Sequence, residues 1–130
     1  MMPEPIPEEW NRITGQIVDA AYHVHRALGP GLLESVYEVC LDHELRKRRM
    51  HVVRQEVLPI AYDGITLDAG LRLDLLVENA VGVEIKAVER LMPVHKAQVL
   101  TYLKLSGYRL GLLINFNEGI IIDGIKRVAN

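Results

Sequence analysis

The stretch "RLDLLVENAVGVEIKAV", residues 72–88, holds three side chains that could do chemistry: Asp74, Glu84 and Lys86. All three interrupt apolar runs that otherwise read as two short strands around a turn. Alternate residues of a strand share a face. Leu71, Leu73, Leu75 and Val77 are therefore expected on one face of the first strand, with Arg72, Asp74, Leu76 and Glu78 on the other. In the next strand Val81, Val83, Ile85 and Ala87 oppose Gly82, Glu84, Lys86 and Val88. A hairpin centred on Asn79 sets Asp74 opposite Glu84 and Arg72 opposite Lys86, and it keeps each apolar face continuous.

Two carboxylates so placed repel. At about 5 Å and an effective dielectric of about 20, the cost is about 3 kcal/mol. A divalent cation between them reverses that sign, and magnesium favours oxygen ligands, takes one or two carboxylates and keeps several waters. Lys86 lies two residues beyond Glu84, so its amine can reach the same patch to hold or activate a water or to offset charge on a phosphate. The spacing alone also permits a plainer reading. Asp74 and Glu84 could pair with Arg72 and Lys86 across a half-exposed sheet face.

The elements that must position these residues follow from periodicity. Trp10, Ile13, Ile17, Ala20, Ala21, Val24 and Leu28 recur at helical spacing and predict a helix over about 8–28, stopped by "GPG" at 29–31. Leu33, Val36, Tyr37, Cys40, Leu41 and Leu45 form the expected inner stripe of a second helix over 33–49. "HVVRQEVLPIAYDG" ends in an Asp63-Gly64 turn signal and reads as a strand, with "ITLDAGLRLDLLVEN" and "AVGVEIKAV" as the next two. "MPVHKAQVLTYLKLSG" reads as a helix that is apolar on most sides and so well buried. "YRLGLLINF" and "GIIIDGIKRV" read as two last strands. This order predicts an α/β sandwich, a mixed sheet with helices packed on it. Residues 1–7 are expected to be a loose arm and 8–130 a single domain.

Other residues have both a chemical and a structural reading. Glu34 falls in the first turn of the second helix, where the helix dipole favours a carboxylate. Gln98 and Tyr102 are four apart and share a helix face with Val94 and Leu105. A core tyrosine is ordinary, whereas a glutamine in an apolar stripe needs a partner, which favours a site-lining role. His25 and the "RKRR" run at 46–49 could approach phosphates, but both also suit helix C-termini. His23, His43, His51 and His95 lack metal-ligand spacing.

Composition narrows the classes. The 130 residues are 49% hydrophobic and 25% charged. That is the balance of a globular chain. A net charge of −2 and 5% aromatic residues give no global basic field. Contact with nucleic acid must therefore be local. The one cysteine, Cys40, makes neither an internal disulfide nor a multi-cysteine zinc site. No apolar run approaches a membrane span, and the acidic, proline-rich start lacks a signal pattern. The expected location is cytoplasmic.

The arrangement of an aspartate on one strand, E-x-K on the next and a following helix resembles the PD-(D/E)XK nuclease superfamily. The chain more closely resembles the small bacterial and archaeal GxxExxY family, whose hallmark is carried by Gly31, Glu34 and Tyr37 in "GPGLLESVYE". "VHRALGPG", "RLDLLV", "VEIKAVERL", "HKAQVLTYLKLSG" and "GLLINF" also match that family's blocks, over roughly residues 12–128. Leu73 stands where the superfamily's name has a proline. The resemblance implies a restriction-endonuclease-like sandwich, a mixed β-sheet flanked by helices. It implies Glu34, Asp74 and Glu84 as ligands of Mg2+ or Mn2+, Lys86 as the catalytic lysine, and Gln98 and Tyr102 as a Q-x-x-x-Y pair lining the site. The function so implied is a metal-dependent phosphodiesterase acting on nucleic acid, DNA foremost. The alternative is a non-catalytic nuclease-fold module that binds nucleic acid or a protein partner. The sequence leaves open a homodimer or a larger protein complex.

Overall fold

A computed structural model describes residues 4–130. Helix α1, Glu8–Leu28, buries Ile13, Ile17, Ala20, Ala21 and Val24, the stripe that its periodicity predicts. Helix α2, Glu34–Lys47, departs from expectation. It buries Tyr37, Glu38, Leu41 and Leu45, while Leu33 and Val36 stay exposed. Its inward face is completed by Glu38, which is ion-paired with Arg54.

Five strands follow: β1 Val52–Tyr62, β2 Ile65–Val77, β3 Val81–Lys86, β4 Leu110–Asn115 and β5 Ile125–Ala129. They lie side by side in chain order. Every neighbouring pair is antiparallel except β3 and β4, which run parallel and are joined through helix α3, Pro93–Ser106. The β1–β2 turn places both Asp63 (φ 47°) and Gly64 (φ 79°) in the left-handed region. That geometry suits a two-residue hairpin.

Helices α1 and α2 cover one face of the sheet with the main core, which includes Leu75, Val77, Val81, Val83, Ile85, Leu112 and Ile114. Helix α3 covers the other face more thinly. Val99 and Leu103 pack with Leu113 and Val128, and Tyr102 packs with Leu73 and Leu76. The close fit depends on Gly111, where an added Cβ would come within 2.9 Å of Val99 Cγ1. The expectation that α3 is well buried is corrected: Val94 and Leu105 are each 56% exposed. Among the described residues, no further layer covers its outer side.

Two other expectations change. The last strand was expected to begin at Gly119, but Ile121–Gly124 form a 3-10 turn before β5. Ile121 turns into the main core there, and the Gly124 backbone lies against Asn115. Residues 4–6 of the arm expected to be loose are in contact with the domain. Arg109 donates to the Glu4 carbonyl at 2.5 Å, and Ile6 packs on the core. Residues 1–3 of that arm lie outside the described residues.

Candidate functional site

The β2–β3 hairpin has the register expected from the sequence, pairing Val77 with Val81, Leu76 with Gly82 and Leu75 with Val83. There the ladder stops. Asp74 and Glu84 occupy the first positions beyond it. The Ile85 N–H is taken by the side chain of Asp74, whose Oδ2 accepts it at 2.7 Å. This exchange disturbs the simple alternation predicted for β2. Leu73 lies beside Leu76 and Tyr102 on the α3 face, over Gly82, and does not join Leu75 and Val77. The ladder ends where a carboxylate replaces a backbone acceptor.

The gap so opened is a cleft of about 490 Å³ lined by Glu34, Arg72, Asp74, Glu84, Lys86 and Gln98, with the β1–β2 ribbon as one wall. Five of the six residues singled out from the sequence therefore line one cleft, although they come from four elements. Glu34 is exposed at the first position of α2, and its Oε2 accepts the Ala87 N–H at 3.1 Å. That bond ties the start of α2 to the chain leaving β3. Gln98 stands on the exposed side of α3. Tyr102 does not line the cleft. One helical turn beyond Gln98 it descends onto Leu73 and Leu76, where burial pushes its hydroxyl up to about 12.

Glu84 is the most perturbed group. It is 9% exposed. Burial first, then its hydrogen bond and repulsion with Asp74, push its carboxyl up to about 9, with Lys86 opposing the shift and Glu34 adding to it. Like charges in a low dielectric disfavour ionisation, so the pair Asp74 and Glu84 carries one negative charge more readily than two. Among the described residues, no three His, Cys, Asp or Glu side chains gather closely enough to hold an ion between them alone.

Several residues around the site carried no functional expectation from the sequence. Glu38, 7% exposed, pairs with Arg54 at 2.9 Å and accepts from Gln55 Nε2 at 2.5 Å. The same Nε2 reaches Asp74 Oδ1 at 3.4 Å. Gln55 adopts φ 54° inside β1. A left-handed conformation of this kind costs about 1–3 kcal/mol where nothing compensates. Its Oε1 is buried without a partner. Asn115 is fully buried at the end of β4 and clamps the chain after Lys86, donating to the Val88 carbonyl at 2.9 Å and accepting the Val88 N–H at 3.1 Å. A polar residue ending the apolar run "GLLIN" was the available signal for Asn115. Glu38 lay within the "ESVYE" block without any feature to mark it as buried.

The remaining candidates take structural positions. His25 Nε2 lies 2.7 Å from the Glu118 carbonyl. In the "RKRR" run Arg46 pairs with Asp42 at 2.7 Å and Arg48 reaches Asp19 on α1 at 2.7 Å. The tyrosine of the G-x-x-E-x-x-Y motif holds the preceding loop. Tyr37 Oη donates to the Gly29 carbonyl at 2.6 Å, accepts the Leu32 N–H at 3.1 Å, and its ring stacks on Phe116 at 4.6 Å.

Comparison with solved structures finds the fold elsewhere. The structure described as "Crystal structure of SSO0001" is similar with a TM-score of 0.57 at 19% identity, over 75% of this chain and 50% of that one. The chain thus spans half the length of that protein, and the likeness is one of fold. None of the curated proteins matches the sequence. No helix among the described residues is long and apolar enough to cross a membrane. The sequence model of the PD-(D/E)XK nuclease superfamily matches residues 11–128, nearly the whole chain, over the same elements that bring Asp74, Glu84 and Lys86 to one cleft, and the chain belongs to that superfamily.

Proposed function

We propose that this domain is a metal-dependent phosphodiesterase that cuts nucleic acid, DNA foremost, in the cytoplasm, and that within its superfamily it belongs to the GxxExxY group. One observation carries the reading: the nearly buried Glu84 carboxyl lies beside Asp74, with Glu34 on the same cleft and Lys86 as the opposing charge. Members of the superfamily generally use divalent metal ions. The residues here fit one, because the donors are hard oxygens and their excess charge is relieved only by a retained proton or by a cation. Asp74 and Glu84 would hold Mg2+ or Mn2+, with Glu34 at the rim of the cleft. An ion that keeps most of its waters needs only two carboxylates in contact. When bound, it supplies charge stabilisation at the phosphate and the leaving oxygen.

The other steps belong to side chains. Asp74 is oriented before substrate arrives, since Ile85 N–H fixes Oδ2. Lys86 Nζ holds the attacking water against the phosphate and offsets the phosphate charge. The Gln98 amide, exposed on α3 at the edge of the cleft, donates to the substrate strand. Tyr102 supports this arrangement from below by packing against Leu73, and it has no direct contact with substrate.

A second reading, a nuclease-fold module that binds without cutting, is favoured by the commitment of Asp74 Oδ2 to a backbone amide and by the absence of a closed three-carboxylate site among the described residues. The deciding experiment is a cleavage assay on DNA and RNA substrates with Mg2+ and Mn2+, run beside Lys86→Ala. Cleavage by the wild type that Lys86→Ala loses supports the enzyme. Thermal melting at matched ionic strength tests the metal separately. At a metal concentration about 100 times Kd, the folded state gains about 2.7 kcal/mol. Asp74→Asn is expected to lose most of that gain; equal shifts in wild type and variant would show that Asp74 is no ligand.

A further inference from the structure

A second cleft, of about 820 Å³, adjoins the first and shares Glu34, Arg72 and Asp74 with it. The carboxylates therefore lie where two clefts meet, and a linear polymer can occupy both with its cut bond between them. The second cleft has a mixed lining. One side carries Leu32 and Leu33 and the other carries Arg54 and Arg72.

Two features of this lining have no structural explanation. Leu33 is 73% exposed, and it is the N-cap of α2, where it makes no capping hydrogen bond. Serine, threonine, asparagine or aspartate would stabilise that position, and leucine does not. A residue that breaks a local rule on the wall of a cleft points to a ligand. Arg72 is exposed. Among the described residues it makes no hydrogen bond or ion pair, although three carboxylates line the cleft around it. An unengaged guanidinium beside a cut site suits a phosphate, which it can grip through two parallel N–H bonds.

Resting on the nuclease reading above, we infer that the second cleft is a subsite for one unpaired nucleotide of the substrate strand, with its base on Leu33 and its phosphate on Arg72. The apolar ledge fits a base face, and the arginine wall fits the charge that accompanies it. In a duplex the base faces are covered by their neighbours in the stack. Only an unpaired or splayed-out base can lie flat on Leu33. The substrate is then a single strand, or a duplex with an unpaired segment beside the cut.

The test uses the full chain carrying Lys86→Ala, in magnesium, so that binding is read without cleavage. Fluorescence anisotropy compares a labelled single strand of about a dozen nucleotides with a blunt hairpin that is fully paired because its loop is a non-nucleotide linker, across a salt series. The single strand is expected to bind about fivefold or more tightly than the hairpin, because a base laid on the exposed Leu33 side chain removes apolar surface from water. Leu33→Ser is expected to abolish that preference while melting at the same or a higher temperature, so its loss is not a loss of folding. Arg72→Gln is expected to weaken binding and to flatten the dependence of log K on log salt by about 0.7. Equal binding of strand and hairpin, a preference retained in Leu33→Ser, or an unchanged salt slope in Arg72→Gln overturns the subsite. If the parent binds neither nucleic acid, the nuclease reading itself falls and the subsite with it.

Discussion

At the scale of single residues, Glu84 sets how the metal-free protein responds to pH. The folded chain keeps the Glu84 proton up to about 9, whereas an unfolded chain releases it near the ordinary 4.5. Between those limits the folded state binds more protons than the unfolded one, so stability falls as pH rises and levels off above the folded value. Urea melts in chelator from acid to mildly alkaline pH should show this decline, and Glu84→Gln should flatten it and be the more stable protein at neutral pH. A wild type whose stability rises over the same range would contradict the burial of this carboxyl. Gln55 belongs to the same scale. Its amide nitrogen spans Glu38 and Asp74, and its left-handed backbone is what aims it there. Strain held at a site in this way persists only where the surroundings enforce it.

Among the elements, α2 joins the loop before it to the site after it. Glu34 bonds to Ala87 beyond β3, and Tyr37, one turn on, clamps Gly29 and Leu32. The two fixed residues of the motif after its glycine thus have separate duties, one at the cleft and one in the loop that sets the angle of the helix. Tyr37→Phe keeps the ring stack on Phe116 and removes both hydrogen bonds. It is expected to cost about 0.5–1.5 kcal/mol in a urea melt, because the half-buried Gly29 carbonyl loses its donor and the exposed Leu32 N–H can turn to water. A change within error would mean that stacking alone holds the loop. Periodicity made α1 and the strand hairpin legible, since their faces are set by alternation and by a near-uniform core. It failed for the first turn of α2 and for α3, because both border open clefts or solvent. There an apolar residue such as Leu33 or Val94 has no layer to enter.

For the whole molecule, a chain-order sheet with one parallel crossover places the acids, the lysine and the glutamine at the end where β2 and β3 part. This convergence was only partly legible in the sequence. The D…E-x-K spacing located Asp74, Glu84 and Lys86, because strand periodicity is short and strict. The lining role of Tyr102 is an implication of the Q-x-x-x-Y resemblance, whereas the helix face that it shares with Gln98 also allows an ordinary core tyrosine. In the fold Gln98 is exposed beside the cleft, and Tyr102, one turn on, packs against Leu73 and Leu76. Arg54 and Gln55 could not be read at all, because their partner Glu38 is 16 to 17 residues distant, and Asn115 showed only as a polar end to an apolar run, its partner Val88 lying 27 residues away. The net charge of −2 also makes sense at this scale, since substrate capture would depend on a few cations beside the site.

The early end of the β2–β3 ladder has a dynamic consequence. β1 and β2 stay paired as far as Tyr62 and Ile65, but from Asp74 outward to the turn no third strand among the described residues pairs with them. Tyr102, Leu58 and Leu71 brace the base of this ribbon, and beyond it the tip stands in solvent. An isolated two-stranded hairpin is marginally stable in water, so the tip should open in a local unfolding event well below the global unfolding free energy. Amide protons from Ile60 to Gly70 should exchange with deuterium long before those of Val81 to Lys86, and a bound strand should slow them. Because Val57, Ala69, Gly70 and Leu71 form a wall of the cleft, the breathing of this ribbon would set how quickly a strand enters and leaves the site.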